Sequence, residues 1–162
     1  GAVAAISVND HDEVLLFDTP VLKIGKKRQM NTKEATSILK FIRNYGAGNN
    51  DWSDWKKPQI LCALERVHAM PKQGVTSVWS FAQNYGQWLG VLAALEPPIP
   101  HELVTPQAWK RVMMDGMPKE KDASIQRVHQ LFPEADVTLK KHHGRADALL
   151  MAEYIRRARE KE

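Results

Sequence analysis

Residues 59–65, QILCALE, form a short and nearly continuous apolar run closed by a carboxylate. A strand with one wet face alternates apolar and polar residues, whereas a strand covered on both faces reads as an unbroken apolar run. This stretch therefore predicts a buried central strand, and a buried strand requires other layers of structure to cover it. Its last residue, Glu65, should then project at the carboxyl edge of a sheet, where domains of this class bind ligands. A carboxylate directly after such a run is costly unless it is solvated, paired or holding a cation.

The flanking sequence supplies the covering elements. GAVAAIS and VLLFDTP, separated by VNDHDE, read as a β-hairpin. Asn31 with Glu34 makes a capping box for a helix over 31–45, in which Ala35, Ile38, Leu39 and Ile42 recur at helical spacing and Gly46 ends the run. GAGNNDWSDWKKP (46–58) reads as a polar loop and MPKQGVTS as a glycine-containing one. A long helix follows, with Val78, Phe81, Tyr85, Leu89 and Leu92 on one face. EPPIP is a break and ELV a short strand. Thr105-Pro106 then gives an N-cap with proline at the first helical position. Two more helices are expected, over about 119–132 and from Arg145 to about Glu160, joined by a loop VTLKKHHG. The order of elements describes a single α/β domain over 1–162 with a mixed sheet.

Composition limits the possible roles. No apolar run approaches the ~18 residues needed to span a membrane, and no stretch reads as a signal peptide. The single cysteine, Cys62, cannot close an internal disulfide and reads as a small buried hydrophobe in a reducing compartment. Net charge is +4, compatible with a nucleic-acid partner without requiring one. The basic residues cluster at Lys26-Lys27-Arg28, Lys140-Lys141 and Arg156-Arg157-Ala158-Arg159. Such clusters are either solvated faces or phosphate contacts.

The stretch KKHHGRADALLMAEY (140–154) gathers titratable groups at the mouth of the closing helix. Asp147 is expected in the first turn, where the backbone dipole favours an anion, so capping electrostatics alone would explain it. His143 and Asp147 are four apart and share a face if the helix reaches back that far. Imidazole and carboxylate on one face make a ligand pair for a divalent metal, or a base with its orienting acid. The sequence holds no CxxC, HExxH, P-loop or nucleophile elbow to suggest a competing chemistry.

The string ALERVHAMPKQGVTSVWSFAQNYGQWLGVLAAL, followed by VTPQAWKR and KKHHGRADALLMAEY, resembles the RuvC-type Holliday junction resolvases of the ribonuclease H-like superfamily. Within them it is most similar to the monokaryotic chloroplast branch and its bacterial and phage relatives. The resemblance implies a ribonuclease H-like mixed β-sheet flanked by helices on both faces. It implies a homodimeric endonuclease that makes symmetric cuts in four-way junction DNA by two-metal-ion hydrolysis, with two Mg²⁺ (or Mn²⁺) ions per active site. It matches Glu65 to the family's second acid, Asp147 to the last acid and His143 to a position held by Asp or His, with His142 beside it as an alternative. Lys72 and Gln73 match a segment that reaches toward the junction centre, where Met70 and Pro71 could wedge against unstacked bases. Lys110, Lys140, Lys141 and Arg145 are the next candidates for phosphate contact, and the Val78–Leu95 helix for the dimer interface.

The family's first acid, an aspartate on an opening strand, would lie ahead of Gly1, and Asp10 and Asp12 in the hairpin turn cannot replace it. As written, the chain carries three of the four groups. A non-cleaving junction-binding module of the same fold is therefore the alternative reading, and a ribonuclease H-like enzyme acting on a flap or hybrid is a third. The implied location is cytoplasm or nucleoid, a plastid nucleoid included.

Overall fold

The structure, a computed structural model, describes residues 1–7, 13–46, 60–66, 68 and 72–160. The loop tryptophans and the residues Asp10, Asp12, Met70 and Pro71 fall outside the described residues. The chain is mixed α/β, and it divides into two compact units: 1–19 with 104–162, and 20–103.

In the first unit the N-terminal hairpin forms as expected. Strands β1 (Ala2–Ile6) and β2 (Val14–Asp18) are antiparallel, with Ala2 opposite Asp18 and Ile6 opposite Val14. The pairing extends past both ends, where Ser7 N–H donates to the Glu13 carbonyl at 3.1 Å and Thr19 N–H to the Gly1 carbonyl at 2.9 Å. Helix α3 (Pro106–Met113) opens as its sequence predicts: the Thr105 hydroxyl accepts the Ala108 N–H at 3.3 Å and proline sits in the first turn. That cap satisfies one of the donors a helix start leaves unpaired. Helix α4 (Ala123–Leu131) begins four residues later than its pattern suggested, because 119–122 are spent on turns.

Helix α5 (His143–Arg159) packs on β1, β2, α3 and α4. Its buried stripe, Ala146, Leu149 and Leu150, is essentially inaccessible to water, as are Trp109 and Met113 of α3, Val128 of α4 and Val137. These side chains form the core of this unit, and their spacing along α5 is that of one apolar helix face.

In the second unit a further hairpin precedes the first helix: β3 (Val21–Ile24) pairs antiparallel with β4 (Lys27–Met30). Helix α1 (Thr32–Gly46) starts at the expected capping box. Asn31 Oδ1 accepts the Glu34 N–H at 3.2 Å, but the Glu34 carboxylate returns to the Asn31 side-chain amide at 3.0 Å instead of the backbone. The reason is that Asn31 N–H already donates to the Pro20 carbonyl at 2.8 Å.

Strand β5 (Cys62–Glu65) is half-buried, and its hydrogen-bonded neighbour among the described residues is β6 (His101–Val104). The mixed α/β class expected from the element order is present, with its strands in small sheets. The described strands pair two by two, β1 with β2, β3 with β4 and β5 with β6. Helix α2 (Val75–Ala94) buries Val91 and Leu92 near its end, while Phe81 is 61% exposed and Trp79 71% exposed.

Candidate functional site

Helix α5 starts at His143, two residues earlier than the glycine at 144 suggested. Gly144 lies inside the first turn and faces the start of the hairpin, where a Cβ would stand in ordinary van der Waals contact with the Gly1 backbone at 3.5 Å. Two consequences follow for the candidate ligands. His143 and Asp147 do occupy one helix face, four residues apart. Asp147 is no longer in the first turn, and the dipole effect falls off within that turn. Capping electrostatics therefore does not account for Asp147.

One Asp147 oxygen, Oδ1, is buried and has no hydrogen-bond partner among the described residues. A buried carboxylate oxygen left unsatisfied costs at least about 1–3 kcal/mol. Such an atom is a strong candidate to receive a cation or a donor that the chain itself does not supply. His143 is half-buried, and its Nε2 lies 3.4 Å from Asp122 Oδ1 at the start of α4. A carboxylate on one ring nitrogen fixes the ring's orientation and leaves the other nitrogen to act, the usual arrangement behind a ligating histidine.

His142 has a structural explanation. It is 8% exposed, and its Nδ1 accepts the Leu139 N–H at 3.4 Å, closing the short 3₁₀ turn Lys140–His142. Of the adjacent pair, His142 is the one tied into this turn, and His143 faces Asp122 instead.

Glu65 closes β5 and is half-buried, but it belongs to the second unit, whereas His143 and Asp147 belong to the first. Among the described residues no group of three or more His, Cys, Asp or Glu side chains is gathered to hold a metal ion. The donor types and the orphaned Asp147 oxygen fit a hard divalent cation, but the described residues gather no third ligand beside them.

The expected phosphate contacts divide into exposed residues and one engaged within the fold. Lys72, Gln73, Lys110, Lys140 and Lys141 are all exposed. Lys72 has φ 69°, a left-handed conformation uncommon for a residue with a Cβ. The Lys110 ammonium lies 5.2 Å from the Trp109 ring centroid. Arg145 is engaged within the fold. Its Nε and Nη2 donate to the two oxygens of Asp18 at 2.9 Å each, and Nη1 donates to Asp136 Oδ2 at 2.7 Å. The hydrogen bonds from Arg145 hold the Asp18 carboxyl below its ordinary range, and those from Asp18 raise the guanidinium.

The basic cluster at the chain's end is likewise neutralised. Glu153, 2% exposed, accepts from Arg156 at 2.7 and 2.9 Å and from Arg157 at 2.6 Å, and Arg156 also pairs with Glu160. Burial opposes the Glu153 charge, but the two arginines outweigh it and its carboxyl is held below the ordinary range. Sequence reasoning did not find Asp18, Asp122 or Asp136. Their partners lie up to 127 residues away, and no local pattern marks such pairs.

Profiles of known protein families give no match to this chain. The chain is similar to Holliday junction resolvase MOC1, chloroplastic, of Chlamydomonas reinhardtii, with 40% identity over 79 residues. The aligned part is 48% of this chain and 8% of that protein, so the chain spans well under a tenth of the relative's length.

Proposed function

We propose that this chain is the nuclease domain of a Holliday junction resolvase, a metal-dependent endodeoxyribonuclease of ribonuclease H-like fold that makes paired symmetric cuts in four-way junctions. The observation that carries the reading is the 40% identity to a protein named as a junction resolvase. The unsatisfied Asp147 oxygen beside His143 on one helix face supports it. Glu65, His143 and Asp147 would hold the divalent ions, two Mg²⁺ or Mn²⁺ in this reading. Such ions supply a water acidic enough to attack phosphorus and neutralise the charge that develops there. Asp122 orients His143, and Arg145 fixes the start of α5 against the hairpin through Asp18. Exposed Lys72, Lys110, Lys140 and Lys141 would contact junction phosphates, with Gln73 next to Lys72 in the chain.

The exposed apolar half of α2, with Val75, Trp79 and Phe81, supports a homodimer, and a symmetric junction matches a two-fold enzyme. No helix among the described residues is long and apolar enough to cross a membrane. The proposed compartment is a nucleoid, and the relative's printed location supports a plastid one.

The test is a gel assay on a synthetic mobile four-way junction, in Mg²⁺ and in EDTA. It uses this chain and a version extended at its N-terminus by an aspartate-bearing strand. Symmetric metal-dependent cuts by the extended chain support the reading. Glu65→Gln and Asp147→Asn should then bind junctions and fail to cut. Junction binding by both chains with no cleavage by either would establish the alternative, a recognition module of the same fold. A second readout is thermal: saturation with Mn²⁺ at about a hundred times Kd should stabilise the chain by about 2.7 kcal/mol. Asp147→Asn should abolish that gain.

A further inference from the structure

Between Asp18 and Glu34 the chain carries five basic side chains, Lys23, Lys26, Lys27, Arg28 and Lys33, and no acidic one. Four of them belong to the β3–β4 hairpin. Its register sets Lys23 directly opposite Arg28 and Ile24 opposite Lys27, with Gly25 and Lys26 as the turn. Like charges directly opposite in an antiparallel pair destabilise it, so this arrangement does not serve the stability of the hairpin. The turn is tight: Gly25 takes φ 60° and Lys26 does not, as in a type II′ turn, and nothing lies within 4 Å of a Cβ built on Gly25.

The hairpin is held at its base, where Pro20 and Met30 are buried and Asn31 donates to Pro20. Every residue from Val21 to Gln29 is exposed. Among the described residues, Lys23, Lys26, Lys27 and Arg28 form no ion pair, whereas Arg145, Arg156 and Arg157 are all committed to carboxylates of the fold. Of the three basic clusters, only this one and Lys140–Lys141 keep their charge available. Four unneutralised cations on an exposed two-stranded ribbon have the chemistry and the shape of a phosphate-backbone contact, since a β-ribbon is narrow enough to enter the major groove of duplex DNA.

We propose that the β3–β4 hairpin is a duplex-DNA contact, gripping phosphates through Lys23, Lys26, Lys27 and Arg28 independently of base sequence. On the junction-resolvase reading, on which this inference rests for its substrate, the duplex is a junction arm.

The experiment measures binding to a linear duplex and to a four-way junction between 50 and 200 mM salt, in EDTA. Lys26→Gln/Lys27→Gln/Arg28→Gln removes three charges, so the slope of log affinity against log salt should become shallower by about 2.7. Across that salt range the unaltered chain should then lose about 40-fold more affinity than the variant. The charge-preserving variant Lys26→Arg/Lys27→Arg/Arg28→Lys should keep the full slope. Should the triple glutamine variant fail to fold by circular dichroism, Lys26→Gln, which alters only the turn, should still change the slope by about 0.9. An unchanged slope overturns the proposal, as does equal loss in the charge-preserving variant or no duplex binding by the unaltered chain. The two readings separate cleanly. A hairpin-dependent slope without cleavage by the extended chain leaves the contact standing and defeats the resolvase. Normal cleavage with an unchanged slope does the reverse.

Discussion

Replacing Arg145 by glutamine tests how the first turn of α5 is held. The Arg145 side chain is 18% exposed, while its partners Asp18 and Asp136 are 67% and 71% exposed. Two unit charges about 4 Å apart attract by roughly 1 kcal/mol in water and by about 4 at an effective dielectric of 20. The exposed carboxylates put these pairs near the watery limit, and exposed pairs measure about 0.2–1 kcal/mol. The two-pronged contact to Asp18 lies at the upper end of that range because its geometry is preorganised. Arg145→Gln should therefore cost about 2 kcal/mol in total, of which about 1 is coupling to Asp18. For a chain of this size that is a fall of about 4–8 °C in Tm.

A double-mutant cycle with Asp18→Asn, followed by urea or thermal unfolding, isolates the pair. The coupling should shrink in 1 M salt, where the screening length is about 3 Å. It should also have a definite pH dependence. The Asp18 carboxyl is held below its ordinary 3.8, so the contribution is complete above that value and is lost as pH falls through the lower folded value. A coupling below about 0.3 kcal/mol would refute the assignment. On the resolvase reading, the exchange Asp18→Arg/Arg145→Asp should recover part of any junction cleavage lost in Arg145→Gln. A residue acting as a simple phosphate contact would show no such recovery.

Other outcomes follow from the same geometry. Glu153→Gln leaves Arg156 buried with only the exposed Glu160 as counter-charge and should destabilise by about 3 kcal/mol in a urea titration. Replacing Glu153 and Arg156 together by methionine should be near neutral. The Glu153 contribution is present above its ordinary 4.5 and is lost as pH falls through its lower folded value, so the difference between Glu153→Gln and the parent should narrow in acid. Thr105→Ala removes the cap of α3 and should cost about 1 kcal/mol, read as about 2–4 °C in Tm. Burial pushes the Cys62 thiol from 9.0 up to about 11. Its thiolate fraction should be about a hundredfold smaller than that of a free cysteine, and a thiol reagent at pH 8 should react slowly until the chain is unfolded.

The proposed site was partly legible because half of it is local. The spacing of His143 and Asp147 is enough to put them on one face once a helix is known to run there. The double histidine was ambiguous in sequence and separates only in three dimensions, where His142 closes a 3₁₀ turn and His143 meets Asp122. Arg145 was read as a phosphate contact for the same reason that Arg156 and Arg157 were noted as a basic cluster. A run of charges does not reveal which carboxylates the fold will bring to it. The β3–β4 hairpin carries no strict alternation in VLKIGKKRQM, so hydrophobic period does not announce it, although Gly25 marks its turn.

By itself the sequence determined what depends on neighbours a few residues apart. Those features are the caps at Asn31 and Thr105, the N-terminal hairpin, the order and approximate extent of the helices, and the chemistry grouped at 142–147. Tertiary structure decided what depends on residues far apart in the chain. It set the pairing of the described strands two by two, the start of α5 at His143, the anchoring of Arg145 by Asp18 and Asp136, and the lack of a partner for one Asp147 oxygen among the described residues. The physical reason is range. Capping and helical periodicity are fixed by hydrogen bonds that span three or four residues. Burial and ion pairing are set by which distant segments the collapse of the core brings into contact, and therefore by the whole chain at once.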